Sequence, residues 1–238
     1  MAIPWYLAMS ESEVANVEKL PQQLAWLGCR FSPGDQVITG LPEMLPPDSL
    51  LVVTDQDPPE EHDIHQIVDR LSIAVNRLSC AGILLDFQTP DHAGSQTVTR
   101  ELSTVLPCPV AVSELYAKDR SCPVFLSPCP HHVPLAEHIA PWKGRELWLD
   151  LAADAESITL TKDGAFISPL SIKKCPQQGH WEPRLHCHYC MEIRQDFARF
   201  TLWRTREDLE TLAREAKELG IHSLVGLYQE LHDNSPIP

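Results

Sequence analysis

Acidic, amide and phenolic side chains come at or just after the ends of several short apolar runs of the sequence. These residues are Asp55, Asp57, Asp86, Gln88, Glu114, Tyr116, Asp150, Tyr228 and Glu230. Paired carboxyl groups can hydrolyse a glycosidic bond, one acting as acid and the other as base or nucleophile. A single acid at the end of a strand is more often a helix cap. The hypothesis of a ligand pocket therefore depends on several of these side chains meeting at one edge of the fold.

Histidine and cysteine form a second group of side chains that could do chemistry. In a strand over His186–Ile193, His186, His188 and Cys190 would share one face, and zinc binds thiolate and imidazole. Cys187 would take the other face, and no second C-x-x-C follows in the chain. The simpler interpretation is an edge hairpin whose histidines face solvent. Zinc bound by His186, His188 and Cys190 is the alternative, and otherwise no cofactor is expected.

A further His/Cys group precedes this one, and its thiolate and imidazole groups are also of the types that zinc prefers. Its members are Cys122, Cys129, His131, His132 and His138. All 8 cysteines are expected to be thiols, because the sequence predicts a reducing, cytoplasmic compartment.

The composition narrows the class of protein and of partner. The chain has 238 residues, 43 % of them hydrophobic, and a net charge of −14. A chain this acidic repels nucleic acid and anionic membranes, so a small molecule or an oligosaccharide is the expected partner. The start of the chain does not resemble a signal peptide, which predicts a cytoplasmic protein. The composition does not indicate an oligomeric state.

Short apolar runs rich in β-branched residues indicate the strands that would position these side chains. The runs are apolar on both faces, as in parallel sheets covered by helices. They are Trp5–Ala8, Ser49–Thr54, Gly82–Phe87, Pro109–Val112, Pro123–Leu126, Leu147–Leu151 and Ser223–Leu227.

Helical patterns lie between several of these runs. Residues 64–78 carry an apolar stripe at helical spacing, and a second stripe begins at a Thr205–Asp208 capping box and ends before Gly220. Weaker patterns predict helices over Glu11–Leu27 and Ser95–Leu106. Alternating strands and helices predict an α/β fold, a (β/α)₈ TIM-type barrel, with an open doubly wound sheet as the alternative.

One region breaks this alternation. Residues 157–168 predict a hairpin around Asp163-Gly164, and His186–Ile193 and Phe197–Trp203 also alternate. We therefore predict an antiparallel β insertion near residues 155–203 within a single domain over residues 1–238.

The segment Asn76–Gln88, which reads NRLSCAGILLDFQ, resembles the signature of glycoside hydrolase family 18. In that family a helix leads into a strand of pattern D-G-x-D-x-D-x-E. The resemblance extends loosely from Ser49 to Glu230, apart from the insertion, and implies a chitinase-like barrel. It places Asp86 where the family's substrate-orienting Asp stands, and Gln88 where the family has its general acid Glu.

An amide has no proton to give at a useful pKa, so Gln88 removes the ordinary family mechanism. The resemblance thus implies a non-catalytic barrel that binds a carbohydrate or other small ligand through Asp55, Asp57, Gln88, Tyr116, Asp150 and Tyr228. One alternative is an active glycoside hydrolase that uses Asp86 with Glu114, Asp150 or Glu230. A metal-binding protein that uses the His186–Cys190 cluster is the other.

Overall fold

The computed structural model describes residues 3–32, 37–60, 63–118 and 121–231. The chain divides into two compact units. The barrel unit comprises residues 1–127, 144–150 and 222–226, and the insertion unit comprises residues 128–143, 151–221 and 227–238. The single domain predicted over residues 1–238 stays a prediction.

The barrel unit contains eight parallel strands that close into a ring. Each strand pairs with two neighbours in the order β1-β14-β8-β7-β6-β5-β4-β2, and β1 pairs with β2 to complete the circle. The eight strands are β1 Trp5–Met9, β2 Leu24–Phe31, β4 Leu50–Thr54, β5 Gly82–Asp86, β6 Val110–Ser113, β7 Val124–Leu126, β8 Leu147–Leu151 and β14 Ser223–Leu227. A two-residue strand, β3 (Ile38–Thr39), adds to β2 in antiparallel direction. The predicted TIM-type barrel is confirmed.

Among the described residues of this unit, three α-helices accompany the strands. They are α1 Glu11–Asn16, α2 Ile64–Leu78 and α3 Ala93–Val105. The apolar stripe of α2 is buried from Ile64 to Leu78, as its spacing predicted. The helix predicted over Glu11–Leu27 is wrong, because α1 ends at Asn16 and the following residues form β2. The strand prevails since Leu24, Ala25 and Trp26 are buried, and pairing with two neighbours satisfies the backbone there.

The insertion unit contains a five-stranded antiparallel sheet in the order β10-β9-β13-β12-β11. Its strands are β9 Ala155–Thr161, β10 Gly164–Leu170, β11 His180–Glu182, β12 Cys187–Ile193 and β13 Phe197–Trp203. The predicted antiparallel insertion near 155–203 is confirmed, including the hairpin that turns at Asp163-Gly164. Three helices belong to the same unit, α4 Leu135–Ile139, α5 Arg206–Glu218 and α6 Tyr228–Leu231.

Helix α5 begins and ends where its sequence pattern places it. The Thr205 hydroxyl accepts from the Asp208 N–H at 3.4 Å, and the Asp208 carboxylate accepts from the Thr205 N–H at 2.7 Å. Gly220 follows the helix with a φ of +83°, the left-handed conformation that favours glycine. Across the described ranges, no helix is both long and apolar enough to cross a membrane.

Candidate functional site

The carboxyl ends of β4, β5 and β6 bring several of the predicted site residues to one end of the barrel. Asp86 is the last residue of β5, Asp55 directly follows β4, and Glu114 directly follows β6. In a parallel barrel these ends lie on the same face, where loops carry the functional groups. Strand pairing also places Asp86 beside Thr54, the residue before Asp55.

Asp86 and Gln88 form a direct pair at this end of the barrel. The Gln88 Nε2 donates to the Asp86 Oδ1 at 2.5 Å. Asp86 is half-buried, whereas Gln88 is exposed. Burial raises the pKa of the Asp86 carboxyl, the Gln88 hydrogen bond lowers it, and the nearby charge of Asp55 raises it again. The net effect is a raised pKa.

Asp55 is buried and holds the loop that carries Gln88. Its Oδ1 accepts from the Gln88 N–H at 2.7 Å, and its Oδ2 accepts from the Thr89 N–H at 3.1 Å. Both carboxyl oxygens therefore bind the backbone of this loop. Asp55, which the sequence suggested as a ligand-binding residue, is a positioning residue in this geometry.

Two further side chains hold the same loop, and one of them was not predicted. The Ser113 hydroxyl donates to the Phe87 carbonyl at 2.7 Å. The Tyr116 hydroxyl donates to the Thr89 carbonyl and accepts from the His92 N–H. Ser113 ends an apolar strand, and no sequence signal distinguishes a serine that binds backbone there from any other serine.

The remaining predicted site residues of the barrel unit do not join the Asp86–Gln88 pair through the hydrogen bonds described. The Glu114 carboxylate accepts from the Ser127 N–H at 3.1 Å and from its hydroxyl at 2.7 Å. Asp57 is exposed, and Asp150 is half-buried in β8.

Tyr228 and Glu230 belong to the insertion unit, in α6. The Glu230 carboxylate accepts from the Ala153 N–H at 2.8 Å. Burial raises the pKa of Glu230, and the Ala153 hydrogen bond lowers it in part. Tyr228 is half-buried at the first position of the helix.

The zinc site predicted at His186, His188 and Cys190 is not formed. His186 precedes β12 with a φ of +47° and pairs with Glu215 of α5. The His188 Nε2 lies 3.3 Å from the Asp208 Oδ1, and its ring stacks on Trp203. Among the residues that the structure describes, no three His, Cys, Asp or Glu side chains converge to hold a metal ion. The predicted strand over His186–Ile193 begins one residue later, at Cys187, and a carboxylate of α5 binds each of the two histidines.

No protein-family model matches the chain, and no curated protein matches its sequence. Solved structures do match. A Glu-to-Gln mutant of the Class V chitinase from Nicotiana tobaccum, in complex with NAG4, has a TM-score of 0.65 at 11 % identity, over 100 % of this chain and 97 % of that chain.

Two other solved structures are similar over most of their length. The chitinase-like agglutinin RobpsCRA from Robinia pseudoacacia has a TM-score of 0.61 at 12 % identity, over 98 % of this chain and 96 % of that chain. The Bacillus cereus spore cortex-lytic enzyme SleL has a TM-score of 0.60 at 9 % identity, over 94 % of this chain and 70 % of that chain. The chain has a chitinase-like barrel fold.

Proposed function

We propose that this protein is a non-catalytic, chitinase-like barrel that binds an oligosaccharide at the carboxyl ends of its barrel strands. The observation that carries the proposal is the Gln88–Asp86 pair, in which an amide stands beside the carboxyl at the end of β5. An amide donates and accepts hydrogen bonds but transfers no proton as a general acid. The pair suits recognition of hydroxyl and acetamido groups better than it suits cleavage.

The similar solved structures support both parts of this proposal. A chitinase of this fold with glutamine in place of one glutamate was crystallised with NAG4. Another protein of this fold is a chitinase-like agglutinin. An oligosaccharide of N-acetylglucosamine is therefore the first ligand to test.

The loop after β5 is held in one conformation by hydrogen bonds within the protein, without a ligand. Asp55, Ser113 and Tyr116 all bind its backbone, which fixes the position of Gln88 without using the Gln88 side chain. A fixed loop loses little conformational entropy when a ligand binds, and this favours affinity. Asp86 and Gln88 remain the groups that would contact the sugar.

The test of binding is isothermal titration calorimetry of the full chain with NAG4. We expect measurable binding, weakened about tenfold or more in Asp86→Ala, because a hydrogen bond to a charged group contributes about 1.5 to 3 kcal/mol. Asp163→Ala is the matched control, since Asp163 is an exposed aspartate in the turn between β9 and β10 and is not among the predicted ligand-binding residues. No heat of binding with NAG4 would overturn the oligosaccharide proposal.

The test of catalysis is turnover of NAG4 and of an aryl glycoside by the same protein. We expect no cleavage by the natural chain, and cleavage created by Gln88→Glu, which restores a carboxyl at that position. Cleavage by the natural chain would overturn the non-catalytic proposal.

The second candidate is an active glycoside hydrolase, and the raised pKa of Asp86 favours it, because a carboxyl that keeps its proton can act as an acid. In that case the natural chain cleaves the aryl glycoside and Asp86→Asn abolishes cleavage. Glu114 and Asp150, the predicted partner carboxylates within the barrel unit, are then the residues to replace next.

A further inference from the structure

The five-stranded sheet of the insertion unit has one apolar face. Strand pairing lines up two apolar rows across β10, β9, β13 and β12. The first row is Ala165, Leu160, Ala198 and Ile193, and the second is Ile167, Ile158, Phe200 and Met191. Because residues two apart in a strand point to the same side, both rows lie on one face of the sheet, which we call the apolar sheet face.

This face is open at the end of the sheet that carries the two rows. Ile193 is 67 % exposed, Ile167 is 54 % exposed and Met191 is 53 % exposed. At the other end of the same face, Leu202 is buried and Glu156 binds His132. Contiguous exposed apolar residues, unlike single scattered ones, are often part of a functional surface.

The opposite face of the same strands is polar in its matching row. Thr159, Arg199 and Glu192 lie side by side there, together with Phe166 of β10. The Arg199 Nη1 lies 3.9 Å from the Glu192 Oε2, and its guanidinium lies over the Phe197 ring. The asymmetry between the two faces indicates that the apolar one meets a partner.

Charge indicates which partner the face fits. Between Ala155 and Trp203 the sequence has six Lys or Arg residues and five Asp or Glu residues, a net charge of +1, whereas the whole chain has −14. The two apolar rows contain no charged residue. Two copies of this chain therefore repel each other least when they approach through this sheet.

We propose that the apolar sheet face packs against the same face of a second copy of this chain, around a twofold axis. Two sheets that pack face to face align their strands within about 30°, and their side chains interdigitate. A twofold axis places identical residues on both sides, so an uncharged apolar row meets an uncharged apolar row. This interface is independent of the proposed carbohydrate binding.

The size of the face predicts a weak dimer. The open end of the face spans four strands, about 19 Å, and two rows of side chains, about 14 Å, which gives a flat footprint of roughly 270 Å². A stable complex buries about 800 Å² on each partner. We therefore expect a reversible monomer–dimer equilibrium that depends on protein concentration.

The test is sedimentation equilibrium of the full chain from low micromolar to several hundred micromolar concentration. We expect a dimer at the upper end, and a dissociation constant raised about tenfold or more in Ile167→Lys, because the interface would bury an unpaired charge. Met191→Lys puts the same charge into the same row on another strand and gives a second, independent measurement.

The matched control is Phe166→Lys, an exposed apolar residue of the same strand that points to the opposite face. We expect it to leave the dissociation constant unchanged within about twofold. A natural chain that stays monomeric throughout would overturn the proposal. Equal effects of Ile167→Lys and Phe166→Lys would also overturn it, because that result indicates pairing through the β10 edge instead.

Discussion

The barrel unit and the insertion unit each contain a buried side chain that collects backbone hydrogen bonds, but of opposite polarity. In the barrel unit, the Asp55 carboxyl accepts two N–H groups of the loop after β5. In the insertion unit, the Arg204 guanidinium donates to the carbonyls of Cys129, Pro130, Leu185 and His186. Asp55 fixes the loop that carries Gln88, directly after Asp86 and Phe87, whereas Arg204 joins two segments to the end of β13.

This difference separates a positioning role from a structural one. A residue that positions a ligand-binding group should affect both stability and binding when it is removed. A residue that only joins segments should affect stability alone. Arg204, Asp55, His131 and Asp86 allow the comparison to be tested, in order of decreasing effect.

Replacement of Arg204 should have the largest effect on stability. Arg204→Met leaves four carbonyls without their donor, that of buried Cys129 among them, and we expect a loss of about 4 kcal/mol in the free energy of unfolding. Urea denaturation followed by circular dichroism measures it. Arg199→Met, at a half-exposed arginine of β13, should cost less than about 0.5 kcal/mol. Similar losses in the two variants would contradict the structural role of Arg204.

Replacement of Asp55 should cost less but should affect two properties. Asp55→Ala leaves the N–H groups of Gln88 and Thr89 without acceptors, and we expect a loss of about 2 kcal/mol in the free energy of unfolding. Binding of NAG4 should weaken as well, since the loop that carries Gln88 is no longer fixed. Calorimetry on folded Asp55→Ala measures the second effect. Unchanged affinity would show that Asp55, like Arg204, is purely structural.

His131 should make the insertion unit sensitive to acid. Burial and the nearby Arg204 charge lower its pKa to about 3, so the folded unit keeps the ring neutral while the unfolded chain protonates it near the ordinary value of 6.5. The stabilisation that comes from the neutral His131 ring is complete well above pH 6.5, and it is lost as the pH falls towards 3. Between these two values, the slope of the free energy of unfolding against pH should approach about 1.4 kcal/mol per pH unit.

Denaturation between pH 6.5 and 5 measures this slope, because most carboxyl groups have not yet titrated in that range. His131→Asn should reduce the slope, whereas His65→Asn, at an exposed position of α2, should leave it unchanged. Equal slopes in the natural chain and in His131→Asn would contradict the assignment.

Asp86 should give the smallest effect, with the opposite dependence on pH. Its pKa is raised, chiefly by burial, so the folded state holds this proton more tightly than the unfolded chain does. The free energy of unfolding should therefore fall as the pH rises from the ordinary carboxyl range through the raised pKa of Asp86. Asp86→Asn should remove this fall, and Asp57→Asn should not. An identical pH profile in Asp86→Asn and the natural chain would contradict it.

Much of the barrel could be predicted because its strands are apolar on both faces. Seven of the eight barrel strands follow from runs such as Leu50–Thr54 and Gly82–Asp86, which are buried on both sides. The strand β2 was missed because Gly28 and Arg30 interrupt its apolar run and because residues 11–27 also fit a helical period. The region forms a strand because its backbone pairs with β1, β3 and β4, which are distant in the chain or follow later in it.

The candidate site could be predicted only in part. The chain order placed Asp55, Asp86 and Glu114 at strand ends, and the structure places them there. The direction of each carboxyl group could not be predicted, because Asp55 turns towards backbone N–H groups more than 30 residues away in the chain. The zinc hypothesis failed for a similar reason. The carboxylates of Glu215 and Asp208, more than 15 residues further along the chain, bind His186 and His188.

The sequence by itself determined the repeated strands, the insertion and the amide at position 88, because apolar periodicity and residue type are local properties. Only the tertiary structure decided that Gln88 donates to Asp86, that Asp55 supports their loop and that one face of the inserted sheet is left open. The hydrogen bonds and the exposure of a side chain depend on which distant segments of the chain come into contact. Those contacts form because the whole fold buries its apolar surface.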